Sequence, residues 1–281
     1  MTCEDIFYCA EQVRRHDPDR YLLTLLAPRE ARPALFSVYA FNIEIAKIRE
    51  SVSETLLGEI RLQWWRDTLD ALFEGERREH AVARPLGDAV RRHGLPRLHF
   101  DRLIAGRALD LDGRVPDTLK DLLCYAEATS APLVHIALAI MGVQGEAPVN
   151  AGTHAGIAWA LCGLIRAIPA HHAAGRQYLP QALCEKYGIA PSDTAATAGC
   201  EALAAIVCEI AETAEHEIGM AREAASLVPR TAVPALLPAT FAASCVRRFR
   251  RAGFNPYDRR VAEVPPMIAW RLALQRAIGR Y

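Results

Sequence analysis

The sequence predicts an all-α fold, a helical bundle, and three observations carry that prediction. Apolar residues recur at spacings of three and four through most of the chain, as they do in helices that bury one face. No run of alternating apolar and polar residues rich in β-branched types competes as a strand. Glycine and proline cluster between the periodic segments, where helix termini need them.

Residues 31–50 form the first periodic segment and 56–74 the second, which Gly75 closes. Residues 83–93 run into Gly94-Leu95-Pro96, and 98–110 into the turn residues at 113–116. Segment 119–141 leads into the turn residues at 142–148, and the longest apolar run, 133–143, lies across its end. Segment 154–166 follows, then turn residues at 188–193, then 201–227 up to Val228-Pro229, then 234–252 and 266–278. These breaks imply about eight to ten helices. No internal repeat of solenoid length appears, which favours a globular bundle over a stacked array. No Pro-, Gly- or Ser-rich linker divides the chain, so 1–281 reads as a single domain.

At 51% apolar and 23% charged, the composition is that of a globular protein with a substantial core. The formal net charge is zero, so no overall basic field points to nucleic acid. The charge is unevenly spread: residues 241–281 carry nine Arg against Asp258 and Glu263, and 201–223 carry six Glu against Arg222. That asymmetry suggests a basic C-terminal surface opposite an acidic helix. Val246-Arg247-Arg248-Phe249-Arg250-Arg251 is the candidate surface for an anionic membrane or a membrane-bound client, each arginine contributing about 1 kcal/mol near such a bilayer. The alternative is a solvated helix face with Val246 and Phe249 in the core.

Eight cysteines, at positions 3, 9, 124, 162, 184, 200, 208 and 245, form no C-x-x-C pair and no finger-like spacing with His. Several sit in apolar helical stretches, where a free thiol behaves as a small hydrophobe, and a reducing compartment fits. Residues 1–8 carry acids and lack both the apolar core of a signal peptide and the composition of an organellar leader. The run 133–143 is interrupted by His135 and is too short to span a bilayer. The expectation is a bacterial cytoplasmic protein, with a peripheral contact at the inner membrane through the basic segment. His216-Glu217 lacks the second His of a zinc-protease helix, glycine-rich phosphate loops are absent, and the adjacent His171 and His172 point in different directions on a helix.

Two segments carry the functional signal. The first reads Tyr39-Ala40-Phe41-Asn42-Ile43-Glu44-Ile45-Ala46-Lys47-Ile48-Arg49-Glu50; the second spans 156–180 and ends Gly175-Arg176-Gln177-Tyr178-Leu179-Pro180. Together with Arg61-Leu62-Gln63-Trp64-Trp65-Arg66, Gly94-Leu95-Pro96 and Ala252-Gly253-Phe254, they resemble the squalene/phytoene synthase family over nearly the whole chain. The resemblance implies an isoprenoid-synthase-like helical bundle with a central cavity, across which 39–50 and 156–166 face one another. It also implies where metal-binding aspartates should stand, and those positions are here Ala46, Lys47, Glu50, Ala167 and His171. Glu50 alone keeps a carboxylate.

Mg²⁺ takes oxygen ligands in near-octahedral geometry and bridges carboxylates to substrate phosphates. The methyl groups of Ala46 and Ala167 offer no ligand, and a lysine ammonium about 4 Å from a unit positive charge opposes it by roughly 4 kcal/mol at an effective dielectric near 20. Pro169 is expected to interrupt or kink the second helix between its two metal positions. No catalytic residue or metal ligand is therefore assigned. Tyr39, Phe41, Asn42, Arg166, Arg176 and Tyr178 are the candidates for lining the cavity or binding a ligand, with the two guanidinium groups suited to a phosphate. Packing is the alternative for Tyr39 and Phe41, and salt bridging for the arginines.

Within the family, Asn42, Ala46, Glu50-Ser51-Val52-Ser53-Glu54, Cys162, Arg166-Ala167 and Pro169 resemble the branch containing the mitochondrial assembly factor for respiratory complex I. That resemblance implies a non-catalytic protein without a cofactor, whose partner is a complex I subunit or assembly intermediate. Two alternatives stand beside it: an active head-to-head prenyl transferase, which would need Mg²⁺, and a lipid- or isoprenoid-binding protein that keeps an apolar ligand in the old cavity.

Overall fold

The computed structural model describes residues 3–52, 54–189 and 200–281, and every regular element among them is helical. Two helices precede the first expected segment, α1 (Cys3–His16) and α2 (Pro18–Leu26). Charge masks the apolar period of α1, which buries Cys9 and Val13 yet leaves Phe7 exposed. The start of α2 is legible: the Asp17 carboxylate accepts from the Arg20 N–H at 3.0 Å, and Pro18 takes the first helical position, where a missing N–H costs nothing.

The expected segment 31–50 is two helices, α3 (Arg32–Ala46) and the single turn α4 (Ile48–Ser51), which share Lys47 as a cap. α5 (Thr55–Phe73), α6 (Ala83–His93), α7 (Arg97–Leu111) and α8 (Leu119–Ile140) fall close to their expected bounds. Gly94, at φ 57°, closes α6 in the left-handed conformation, and a reciprocal capping box between Thr118 and Asp121 opens α8.

α9 (Glu146–Ala173) outruns the expected 154–166 at both ends. Pro148 sits in its first turn, where no intrahelical donor is required. The expected interruption at Pro169 does not end the helix, which continues to Ala173. An interior proline costs about 3 kcal/mol, and α9 is the helix against which α8, α11 (Glu201–Glu223) and α12 (Val233–Arg251) pack. A short α10 (Gln181–Lys186) precedes α11, and α13 (Arg259–Ala262) and α14 (Ile268–Ile278) follow α12.

α9 is the axis of the bundle. α8 and α11 lie against it most extensively, while α1, α6 and α7 gather round α3. A Cβ added at Gly156 would stand 2.6 Å from the Ala131 Cα and 2.8 Å from its backbone nitrogen, so only glycine permits this crossing of α8 and α9. One hydrophobic cluster joins these elements, from Cys9 and Val13 through Phe41, Leu161 and Phe249 to Leu272. By length and composition α8 and α9 are each apolar enough to cross a membrane, which the run 133–143 alone did not reveal. Inside the protein 72% and 56% of their apolar windows are buried.

The basic segment 246–251 is partly engaged within the protein. Val246 and Phe249 are core residues. Arg248 donates to the carbonyls of Arg260 and Val264, and Arg250 pairs with Glu215 of the acidic helix α11 at 2.8 Å. α11 and α12 are neighbours, so part of the charge asymmetry closes on itself.

Candidate functional site

One face of α9, the end of α3 and the α4 turn wall a cavity of about 250 Å³. Spacing builds the α9 wall: Trp159, Gly163, Ala167 and His171 recur at every fourth residue, with Ala160 and Leu164 beside them. Facing them are Ala46 from α3 and Arg49 and Glu50 from α4. α7 contributes Arg107 and Asp110, α8 contributes Tyr125, Thr129 and Ser130, and α2 contributes Arg20. Gly175, at φ 65°, reverses the chain after α9, and the Arg176 N–H donates to the His171 carbonyl at 2.8 Å. That turn returns Arg176 and Tyr178 to the cavity. Segments 39–50 and 156–166 thus meet the same space from opposite walls.

Arginine dominates the lining. Arg107 bonds Asp110 at 3.3 Å, and the same carboxylate accepts the hydroxyls of Tyr125 at 2.8 Å and Tyr178 at 2.9 Å. Burial pushes the Tyr125 phenol well above its usual range, and burial with the Asp110 charge pushes Tyr178 up to about 12, so both remain hydroxyl donors. Glu50 pairs with Arg176 at 3.2 Å. The Arg20 guanidinium lies 5.6 Å from the centre of the Tyr39 ring and 5.0 Å from that of Trp159, linking α3 to α9 through stacked contacts, and it bonds Asp17 at 2.7 Å. Arg49 forms no ion pair or hydrogen bond among the described residues and lines both this cavity and the adjoining depression.

His171 packs on the Tyr178 ring, centroids 4.5 Å apart. Burial, reinforced by Arg176, lowers its pKa to about 4, so it is neutral at pH 7. A folded-state pKa below the unfolded value near 6.5 means the unfolded chain binds the proton first. Stability is then full above about pH 6.5 and falls as the pH drops toward 4, by about 1.4 kcal/mol per pH unit at most from His171. His99, also lowered to about 4 by burial and by His135, adds a smaller, solvent-screened part. Chemical denaturation of wild type and His171→Gln across this range checks it: the variant should lose stability with a visibly shallower slope, and parallel curves would refute the assignment to His171.

Of the residues singled out by sequence, Ala46, Glu50, Ala167, His171, Arg176 and Tyr178 line the cavity. Lys47 does not. It sits at the α3–α4 junction among Glu44, Glu50 and Arg15, and of the four arginines that line this space Arg20, Arg107 and Arg176 are each paired with a carboxylate, leaving the charge of Arg49. Phe41 is fully buried, edge-on to Trp65 at 5.0 Å and to Phe100 at 5.6 Å, on the side of α3 turned away from the lumen. Tyr39 is buried beneath Arg20, and Asn42 is buried with its Oδ1 lacking a hydrogen-bond partner among the described residues. Arg166 is engaged by Asp19 at 2.5 Å and lies over Phe241, pinning α9 to α2 and α12. Arg20, Arg49, Arg107, Asp110, Tyr125 and Trp159 went unassigned in the sequence. The separation of Arg107 and Asp110 by three residues on a helix is a usable signal for that pair; Arg20 has no counterpart in either motif.

A bundle with two such helices facing across a central cavity has the isoprenoid-synthase-like architecture. The squalene synthase HpnC from Alicyclobacillus acidocaldarius shares it, with a TM-score of 0.79 at 24% identity over 90% of this chain and 95% of that one. The chain belongs to the squalene/phytoene synthase family, whose sequence pattern matches residues 13–267. It is 29% identical to "NADH dehydrogenase (ubiquinone) complex I, assembly factor 6" of Bos taurus over 98% of this chain and 82% of that protein. It is also 29% identical to the presqualene diphosphate synthase of Rhodopseudomonas palustris over 76% of this chain and 77% of that enzyme.

The Mg²⁺ ions that this family's resemblance implies do not fit the residues present. Ala46 and Ala167, which stand where the resemblance implies ligands, bring only methyl groups to the space, and the acids that reach it, Glu50 and Asp110, are each held by an arginine. Among the described residues no group of three or more His, Cys, Asp or Glu is placed to hold a metal ion.

Proposed function

We propose that the protein is a non-catalytic squalene/phytoene synthase-like protein that helps assemble the respiratory NADH dehydrogenase, complex I, acting in the bacterial cytoplasm with no resident cofactor. The observation that carries the non-catalytic part is the cavity wall: methyl groups at the metal positions and arginines neutralising Glu50 and Asp110. The likeness to complex I assembly factor 6 over nearly the full length of the chain supports the assembly role. A deletion strain should lose NADH:quinone oxidoreductase activity and accumulate sub-complexes on native gels, and re-expression should restore both. Full activity and normal complex I in the deletion strain would refute the role.

A second reading rests on the cavity itself. Four arginines above an apolar wall of Trp159, Leu164 and Ala167 suit a ligand with an anionic head and an apolar body, such as a lipid or an isoprenoid phosphate, held by guanidinium groups without metal. Native mass spectrometry of the purified protein tests this: a co-purifying apolar anion released by Arg49→Gln with Arg176→Gln is the expected result, and an empty protein counts against it.

A further inference from the structure

We propose that α14 is a membrane-docking helix that lies flat on an anionic lipid bilayer. The helix has two apolar faces. Ile268 and Leu272 are buried where it packs against α12 and α2, whereas Met267, Trp270, Leu274 and Ile278 are exposed. Trp270 is 73% exposed and Leu274 59%. At 100° per residue Trp270, Leu274 and Ile278 fall on one narrow stripe directed away from the buried face, and Met267 caps the helix just before it. The protein leaves this stripe to the outside, and a large exposed apolar stripe on a surface helix calls for an apolar medium.

Charge says which medium. No Asp or Glu occurs in 264–281, and Arg271, Arg276 and Arg280 are the charged residues of α14 and the chain beyond it. Arg271 faces Arg222 and Arg247, whose guanidinium pKa values are lowered by burial and then by Arg271 itself. Arg251 adds to the field at Arg247. Neither Arg271 nor Arg276 has an ion-pair partner among the described residues. A stripe bearing Trp and Leu, bordered by Arg271 and free of acidic residues along its helix, complements a bilayer surface of anionic headgroups over acyl chains. The other exposed apolar stripe, Leu56, Ile60 and Trp64 on α5, is set among Glu54, Glu59 and Asp67 as well as Arg61, and lacks that complementarity. The membrane surface expected of 246–251 is thereby relocated: there the apolar residues point inward, and on α14 they point out.

The experiment is co-sedimentation of the full chain with phosphatidylcholine vesicles, with and without phosphatidylglycerol, at low and high salt. Wild type should bind the phosphatidylglycerol vesicles and release as salt rises. The double variant Trp270→Ser/Leu274→Ser should bind more than about tenfold more weakly, with unchanged circular dichroism because both side chains lie outside the core. Arg271→Gln should lose roughly fivefold and part of the salt dependence. Leu56→Ser/Ile60→Ser on α5 should bind as wild type. Absence of binding at low salt, or equal binding by the α14 and α5 variants, overturns the proposal. So does self-association of the wild type that the α14 variant abolishes, which would make the stripe an interface between copies. Because the assay uses only protein and lipid, its outcome is independent of any role in complex I.

Discussion

Farnesyl or geranylgeranyl diphosphate incubated with this protein and Mg²⁺ or Mn²⁺ is expected to give no presqualene diphosphate, squalene or phytoene above a control without protein. Ionising a prenyl diphosphate requires the negative charge of the departing group to be stabilised as it develops, and pre-placed cations supply several kcal/mol of that stabilisation. Each 1.36 kcal/mol withdrawn slows the step about tenfold. Here the positions at which the family resemblance implies metal-binding carboxylates hold Ala46, Lys47, Ala167 and His171, and Glu50 is paired with Arg176. The arginines of the cavity could still hold an anion, but Arg107 is tied to Asp110 and Arg20 to Asp17. A loss of about 5 kcal/mol or more, over a thousandfold in rate, is expected from these replacements. The measurement is radiolabelled or mass-spectrometric product analysis. Product that depends on metal and vanishes in Glu50→Gln would make the chain an active synthase, whatever the deletion strain shows.

Gly156→Ala should destabilise the fold by about 3 kcal/mol, at the upper end for an overpacked core. The added methyl would meet backbone atoms of Ala131 at 2.6 and 2.8 Å, and backbone cannot turn aside as a flexible side chain can. α8 and α9 would have to separate along the most extensive contact in the bundle. A melting temperature lower by roughly 6–12 °C is the readout. Gly163→Ala is the matched comparison: it lies on the same helix and lines the cavity, yet its added Cβ meets nothing within 4 Å. Relief of glycine's helix penalty should stabilise that variant by about 0.5–1 kcal/mol. Similar melting temperatures for the two variants would show that the α8–α9 crossing is looser than these distances imply.

Helices α5 to α8, α12 and α14 were readable because period and punctuation agree there: a one-sided apolar pattern ends at Gly75, at Gly94-Leu95-Pro96 or at the turn after Leu111. The break at Lys47 and the continuation of α9 through Pro169 were not, since both oppose the local signal and are decided by what packs alongside. α1 is hidden in the sequence for a similar reason: its buried residues are few and lie among charges.

The sequence by itself determined the all-α class, through the spacing of its apolar residues, and the family, through the residues of its two signature segments. Tertiary structure alone decided which side chains share the cavity. It turned Phe41 into the aromatic core with Trp65 and Phe100, consumed Arg166 in an ion pair with Asp19, and brought Arg20, Arg107 and Asp110 from distant parts of the chain to the lumen. It also separated two apolar patterns that look alike on paper, burying Val246 and Phe249 while leaving Trp270 and Leu274 outside. Periodicity states that a helix has an apolar face; the angle at which neighbouring helices cross it determines whether that face meets protein, a cavity or the surroundings.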